Sequence, residues 1–355
     1  MSEKRVVVAM SGGVDSSVAA AFLKEKGYNV IGITIRMWGD RNRCCAPKDV
    51  EDAKKVAGIL GIPHYVISMH DAFKKQVVDY FIAEYLLGRT PNPCAVCNPA
   101  IKFGDLLHKA FELKADYLAT GHYATVSIDR QNNRYLLKRS KEKGKDQSYF
   151  LARLSQKTLK SVMFPIGNFP KEKIRRLAGR FHLPVASKTE SQEVCFIPDG
   201  DLISFIKQYS TPSSLEGPIE NQKGEVIGKH QGIFGYTIGQ RKGLGIALGK
   251  PVYVTQINAK TNTIIVGENE DLYKSCLSAT DTNWLSIPGI KETTRFKVRI
   301  RYKHKPAWAR VTQKANNTTE IEFEEPQRAL TPGQLAVFYM DDIVAGSAWI
   351  DRVYN

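Results

Sequence analysis

The stretch VVVAMSGGVDSSVAAAFLKEKG, residues 6–27, decides how the first half of the chain is read. Three valines, Ala9 and Met10 make a run without a polar break, the pattern of a strand covered on both faces in a parallel sheet. Ser11, Gly12 and Gly13 end that run, and glycine lets a backbone pass close to a ligand. An amphipathic pattern starts at Val14, so the stretch reads as strand, loop, helix, with the first helical N–H groups facing an anion. It is neither the GxxxxGK-Ser/Thr loop of kinase-like NTPases nor the GxGxxG of dinucleotide folds. No lysine lies inside the loop, which argues against simple γ-phosphoryl transfer. Asp15 is the candidate carboxylate for Mg²⁺, and Ser16 and Ser17 are candidate donors to phosphate oxygens.

Outward from this unit the chain alternates. A helix over 14–26, a strand over 30–35, a helix over 48–60 and a strand over 65–67 predict a doubly wound α/β unit with helices on both faces of a parallel sheet. Helical stretches over 73–87 and 103–113 and the strand YLAT at 117–120 extend it. Ligands of such sheets bind beyond the carboxyl ends of the strands. A basic amphipathic helix over 171–181 and a helix over 202–209 lead into the breaker-rich TPSSLEGP at 211–218. Glycine-punctuated β segments follow, and after Leu272 longer ones, RFKVRIRYK, ARVTQK, TEIEFEE and QLAVFYM, suit a small β-barrel. Three units are expected: residues 1–205 for the nucleotide chemistry, 206–270 a small β-rich central domain, and 271–355 a C-terminal β-barrel.

Fifty-one Lys and Arg against 36 Asp and Glu leave a formal charge of +15, which favours a polyanionic partner. No stretch approaches the roughly 18 apolar residues of a membrane span, and no signal-peptide core is present, so a cytoplasmic location is expected. Six cysteines at irregular positions suit metal binding or reactive thiols better than a disulfide framework.

Cys94 and Cys97, two residues apart in GRTPNPCAVCNPAIKF, read as redox-active, metal-binding or incidental. A structural zinc site needs four ligands, which Cys44 and Cys45 could complete. Cys195 follows Lys188, a cation able to favour its thiolate, and precedes the apolar pair Phe196 and Ile197. The other reading of Cys195 is a small buried hydrophobe.

SGGVDSS at 11–17 resembles the signature of PP-loop ATP pyrophosphatases, which release pyrophosphate and use AMP to activate a carbonyl oxygen. With GRTPNPCAVCNPAIKF at 88–103, ATGHYA at 119–124, KDQSYFL at 145–151 and SQEVCFIPDG at 191–200, in this order, the whole chain resembles the tRNA-specific 2-thiouridylase family. That resemblance implies ATP-dependent conversion of a wobble uridine to 2-thiouridine, with tRNA, ATP and Mg²⁺ as partners and cofactors and a desulfurase, relay protein or free sulfide as sulfur donor. It places ATP at Ala9, Met10, Ser11, Gly12, Gly13, Val14, Asp15, Ser16, Ile35 and Gly121, and the flipped base at Asn92, Pro93 and Cys94. It places tRNA contacts at His122, Lys145, Asp146, Gln147, Arg301, Tyr302 and Gln334, the nucleophile at Cys97 and the persulfide at Cys195. Many members carry an acidic residue where Cys94 stands; Cys94, Cys97 and Cys195 instead resemble a subset proposed to hold a [4Fe–4S] cluster on three thiolates.

In RFKVRIRYK, Arg295, Lys297, Arg299, Arg301 and Lys303 alternate with apolar residues, so strand periodicity predicts one cationic face able to track an RNA backbone. Tyr302, Trp308 and Tyr236 are candidate stacking residues for bases. Two other function classes compete. A small-molecule PP-loop ligase or amidotransferase accounts for SGGVDSS but not for the thiols, and a non-catalytic RNA-binding module accounts for the barrel but not for the nucleotide loop.

Overall fold

The computed structural model describes residues 3–38, 46–189, 194–197, 200–210, 216–246, 249–314 and 317–355. Cys44 and Cys45, and with them the four-thiol zinc reading, lie outside the described residues.

The opening unit forms as its sequence dictates: β1 (Arg5–Ala9), α1 (Val14–Glu25), β2 (Asn29–Arg36), α2 (Pro47–Leu60) and β3 (His64–Ser68). Next come α3 (His70–Phe73), a π-helix (Lys74–Val78), α4 (Asp79–Leu86), α5 (Pro93–Cys97), a second π-helix (Asn98–Asp105) and α6 (Leu106–Glu112). The two long helices expected there are thus each wound partly with i→i+5 hydrogen bonds, which periodicity alone does not reveal. β4 (Tyr117–Ala119), the hairpin β5 (Ala124–Asp129) and β6 (Arg134–Arg139), α7 (Ser148–Leu151), α8 (Gln156–Lys160), β7 (Val162–Met163), α9 (Lys171–Arg180) and α10 (Leu202–Tyr209) complete this half.

The parallel sheet runs β3-β2-β1-β4-β7, with β1 at its centre. Val6, Val7 and Val8 are all inaccessible to solvent. Period-two alternation sends them to opposite faces: Val6 and Val8 pack with α1, α2 and α9, and Val7 packs with α4, α6 and the π-helices. This is why the strand shows no polar alternation.

A second sheet orders β10 (Tyr253–Asn258), β11 (Thr263–Gly267), β8 (Gly217–Glu220) and β9 (Val226–His230) around Ile219, Val254 and Ile264. The third contains β12 (Tyr273–Trp284), β13 (Thr294–Arg299), β14 (Ala307–Gln313), β15 (Thr319–Arg328), β16 (Leu335–Met340) and β17 (Ile343–Tyr354). Its order β12-β15-β14-β13-β16-β17, with β12 also pairing β17, closes an antiparallel barrel of six strands. Closure removes both edges. The β5–β6 hairpin, which the sequence reading passed over, pairs with β17 where Ile343 meets Lys138. Leu335, Val337 and Tyr339 of the barrel belong to the same core as Val7 and Ile33. The nucleotide half and the barrel are therefore packed together.

The cationic stripe is corrected by this fold. β13 ends at Arg299, so Arg301 and Lys303 lie beyond it, and of the three cations on the strand only Arg295 and Lys297 reach solvent. Arg299 is 7% exposed and bonds Asp146, while Arg301 donates to the Ile238 carbonyl at 2.9 Å and to Thr331. Periodicity fails here because a buried carboxylate and carbonyls from distant segments satisfy guanidinium groups inside the protein. On the exposed face the Arg295 and Lys297 cations lie 4.0 and 5.0 Å from the centre of the Trp308 ring.

Candidate nucleotide and thiol site

The loop between β1 and α1 turns at Gly12, whose φ of +71° lies in the left-handed region. A Cβ there would stand 2.2 Å from the Asp49 carbonyl oxygen, so no other residue fits. Lys188 fastens the same turn, donating to the Gly12 carbonyl at 3.0 Å, to Asp49 at 2.7 Å and to Asp52 at 2.6 Å. This corrects the expectation that Lys188 serves Cys195: its ammonium holds the loop against α2. Gly13 opens α1 without a side-chain cap, leaving first-turn amides to face a ligand. Ser16 Oγ accepts from the Ser11 amide at 3.1 Å, whereas Ser17 is fully buried and donates to the Gly13 carbonyl at 2.8 Å. Ser17 is thus part of the helix, not a phosphate donor.

Beside the loop lies a cavity of about 240 Å³. Of the expected ATP residues, Ala9, Met10, Ser11, Asp15, Ser16, Ile35 and Gly121 line it; Gly12, Gly13 and Val14 build the turn and helix start behind it. Met10, Ile33, Ile35 and Met37 make an apolar wall at the ends of β1 and β2, the size and chemistry of a slot for a flat aromatic ring. Gly121 comes so near α1 that a Cβ would lie 2.6 Å from the Ser16 nitrogen. Two residues expected to touch tRNA, His122 and Gln147, line the same cavity. Burial, with the Lys102 charge adding, holds His122 well below the ordinary imidazole range, so its ring is neutral at pH 7. Gln147 accepts from the Tyr123 amide at 2.8 Å.

Two lysines that the sequence reading did not single out belong to this neighbourhood. Lys171, 9% exposed at the start of α9, donates to both Asp15 oxygens at 2.8 and 2.9 Å, and Tyr123 donates to Asp15 at 2.7 Å. Lys102 lines the cavity from the second π-helix. Only the IKF tail of the cysteine motif could have pointed to it.

Cys94 lies within electrostatic reach of this cavity through Lys102. Asn92 caps α5 by accepting from the Ala95 amide at 3.1 Å and Pro93 is its first residue, so both set the geometry of the helix that carries Cys94 and Cys97. Cys97 is 7% exposed and Cys195 half-buried. Phe196 anchors the Cys195 segment among Phe73, Phe81 and Phe205 at ring distances of 5.5, 5.1 and 5.5 Å. Cys94 offers exposed surface yet is ringed by protein atoms. That desolvation pushes its thiol up to about 11, with the Cys195 sulfur adding and Lys102 opposing. Residues a hundred positions apart in sequence are therefore within electrostatic reach. At pH 8 a thiol so shifted is about one part in 10³ thiolate, and mass-spectrometric labelling should find Cys94 alkylating slowly, about tenfold faster per pH unit toward 11.

The remaining expected tRNA contacts divide. Lys145 closes a short 3₁₀ turn (Lys143–Lys145) at the surface. Asp146 is 1% exposed, its carboxylate paired with Arg139 at 2.9 Å and Arg299 at 3.2 Å and bonded to the Ser140 and Ser148 amides. It therefore shapes the loop from inside. The Tyr302 ring lies 4.5 Å from that of Phe150. Gln334 donates to the Thr90 and Pro91 carbonyls at 2.9 and 3.3 Å, pinning the loop before α5 to the barrel.

Residues 4–199 match the model described as the tRNA methyl transferase HUP domain, 203–268 its PRC-barrel domain, and 274–350 the aminomethyltransferase β-barrel domain. The chain is 48% identical to the tRNA-specific 2-thiouridylase MnmA of Acetivibrio thermocellus over 99% of its own length and 100% of the relative's. It is 47% identical to the protein of the same name in Clostridioides difficile, over 98% of each chain. The Moorella thermoacetica protein of that name is 48% identical over 98% of this chain and 99% of its own. Identity at this level along the full length of both chains has one meaning: the chain belongs to the tRNA-specific 2-thiouridylase family.

Proposed function

We propose that the protein is a tRNA 2-thiouridylase, which adenylates the 2-oxygen of the wobble uridine and replaces it with sulfur carried between Cys195 and Cys97. The observation that carries this reading is that Cys94 lies within electrostatic reach both of Cys195, a hundred positions away, and of Lys102 in a cavity whose loop contains no lysine. A γ-phosphoryl-transfer enzyme needs neither feature, and a small-molecule ligase has no use for the thiols. Relatives' names point to thiolation, while the domain descriptions point to methyl transfer; cysteines within electrostatic reach of one another favour sulfur chemistry.

The chemistry follows from the substrate. The uracil 2-carbonyl is urea-like and a poor electrophile. Its oxygen attacks the α-phosphorus of ATP, pyrophosphate leaves with the bonding electron pair, and the N3 proton passes to water. The terminal sulfur of a Cys195 persulfide then adds to C2 and AMP departs. Cys97 attacks the inner sulfur, forming a Cys97–Cys195 disulfide, and the released thiolate regains a proton at N3. A reductant restores both thiols before the next persulfide is loaded. The base must be flipped from its stack, which costs a few kcal/mol. The excess of 51 basic over 36 acidic residues offsets this through phosphate contacts.

Where Mg²⁺ accompanies ATP, Asp15 is the carboxylate in the cavity that would hold it, supplying charge neutralisation for the departing pyrophosphate. A [4Fe–4S] cluster fits less well. Thiolates are the right ligands, yet among the described residues no three His, Cys, Asp or Glu side chains stand as a metal-holding group. The sulfur route derived above uses the persulfide, which asks for two thiols only. Among the described residues no helix is long and apolar enough to cross a membrane.

The test is nucleoside mass spectrometry of an unmodified tRNA after incubation with the protein, ATP and a persulfide donor, with pyrophosphate counted in parallel. One 2-thiouridine and one pyrophosphate per turnover are expected. ATP cleaved only between its outer two phosphates would remove the reading.

A further inference from the structure

Lys102 is the single Lys or Arg side chain lining the nucleotide cavity among the described residues, and it shares that cavity with the lysine-free loop. Its position depends on an unusual backbone. Asn98–Asp105 is a π-helix that directly continues the helix of Cys94 and Cys97. In an α-helix, residues five apart point about 140° away from each other. The i→i+5 hydrogen bonding of a π-helix instead brings such residues, here Cys97 and Lys102, toward one face. π-helical turns are rare and frequently found at functional sites. Ile101 and Phe103 on either side are buried at 0% and 2% exposure, so the residue between them has a fixed path into the cavity.

The charge of this ammonium is felt in two directions. It depresses the His122 imidazole on the cavity wall, and it opposes the upward shift of the Cys94 thiol. Its charge therefore reaches both the cavity wall and the helix that carries Cys94.

We propose that Lys102 is a catalytic residue of the adenylation step, its ammonium binding the non-bridging α-phosphate oxygens as pyrophosphate leaves. This rests on the thiouridylase reading above and assigns one of its steps. The bond that forms joins uracil O2 to the α-phosphorus. The bond that breaks joins that phosphorus to the pyrophosphate oxygen, which takes the electron pair. The α-phosphate is anionic throughout, but the charge on its non-bridging oxygens changes most as the phosphorus is attacked, so a cation fixed to suit that geometry raises the rate more than it tightens ATP binding. A P-loop NTPase places its lysine on the β and γ phosphates; attack at the α-phosphorus calls for the cation one phosphate further in, on the side of the incoming base.

The experiment uses the full chain with tRNA transcript and compares Lys102→Met and Lys102→Arg with wild type. Single-turnover pyrophosphate release at saturating ATP, the dissociation constant for ATP, and 2-thiouridine formed per pyrophosphate are measured. Lys102→Met should release pyrophosphate about 10²–10³ times more slowly, with ATP affinity within about threefold and an unchanged yield of 2-thiouridine per pyrophosphate. Lys102→Arg should recover a part of the rate, which a merely misfolded site would not. Wild-type pyrophosphate release by Lys102→Met, with or without loss of 2-thiouridine, would overturn the assignment alone. If the wild-type protein itself releases no pyrophosphate with tRNA, the thiouridylase reading falls and this proposal with it.

Discussion

Cys97→Ser and Cys195→Ser should each form no measurable 2-thiouridine while still releasing pyrophosphate when tRNA and ATP are supplied. The expected loss of thiolation is at least about 10⁴-fold, because a serine hydroxyl can neither carry a persulfide nor attack one. Neither thiol is among the side chains that line the cavity beside the Ser11 loop. Cys97 closes a helix capped by Asn92, and Cys195 lies in a segment anchored by Phe196, whereas the nucleotide cavity is lined by other side chains. The two variants should also differ from each other. Cys195→Ser cannot be loaded with sulfur, but Cys97→Ser should trap a Cys195–S–S–uracil adduct, detectable as protein-bound tRNA that dithiothreitol releases. Full thiolation by either variant would remove both residues from the mechanism, and loss of pyrophosphate release in both would mean that thiols and nucleotide chemistry are not separable.

What the sequence reveals and what it conceals divide along physical lines. The alternation of apolar strand and amphipathic helix over 6–67 needs only local pattern, and β1, α1, β2, α2 and β3 fall within a residue or two of expectation. The loop at Ser11 was legible because Gly12 answers a geometric demand, a positive φ against the Asp49 carbonyl, that few sequences meet. Contacts between distant segments leave no such local trace. Lys171 lies 156 positions from the Asp15 it neutralises, and in sequence it is one cation of a basic helix. Arg299 and Arg301 obey strand alternation on paper, but their guanidinium groups are bonded inside the protein. The π-helix that presents Lys102 looks like ordinary helix by composition. Gln334, in turn, was picked out as a residue touching RNA, and the fold shows it bonded to the loop that leads into Cys94. Local pattern thus reveals elements and turns more readily than the partners of individual side chains.

The Asp15–Lys171 pair should show how closely stability and chemistry are joined in the loop. Asp15→Asn leaves the Lys171 ammonium, its side chain 11% exposed, without its carboxylate. Breaking a buried pair from one side destabilises by about 3–5 kcal/mol. The Asp15 side chain keeps 26% of its surface, which lowers the expectation to about 2 kcal/mol, read as a fall in the urea midpoint of the nucleotide half. Pyrophosphate release should fall about 10³-fold, since the cavity also loses the carboxylate that would hold Mg²⁺. The double variant Asp15→Asn with Lys171→Met separates the two effects. Removing both charges leaves no buried ion unpaired, so stability should return to within about 1 kcal/mol of wild type. Activity should stay low, because the double variant does not restore the Asp15 carboxylate to the cavity. If instead the double variant recovered both stability and pyrophosphate release, Asp15 would be no more than a strut for α9, and the phosphate chemistry would have to be assigned to the loop amides and Lys102 without it.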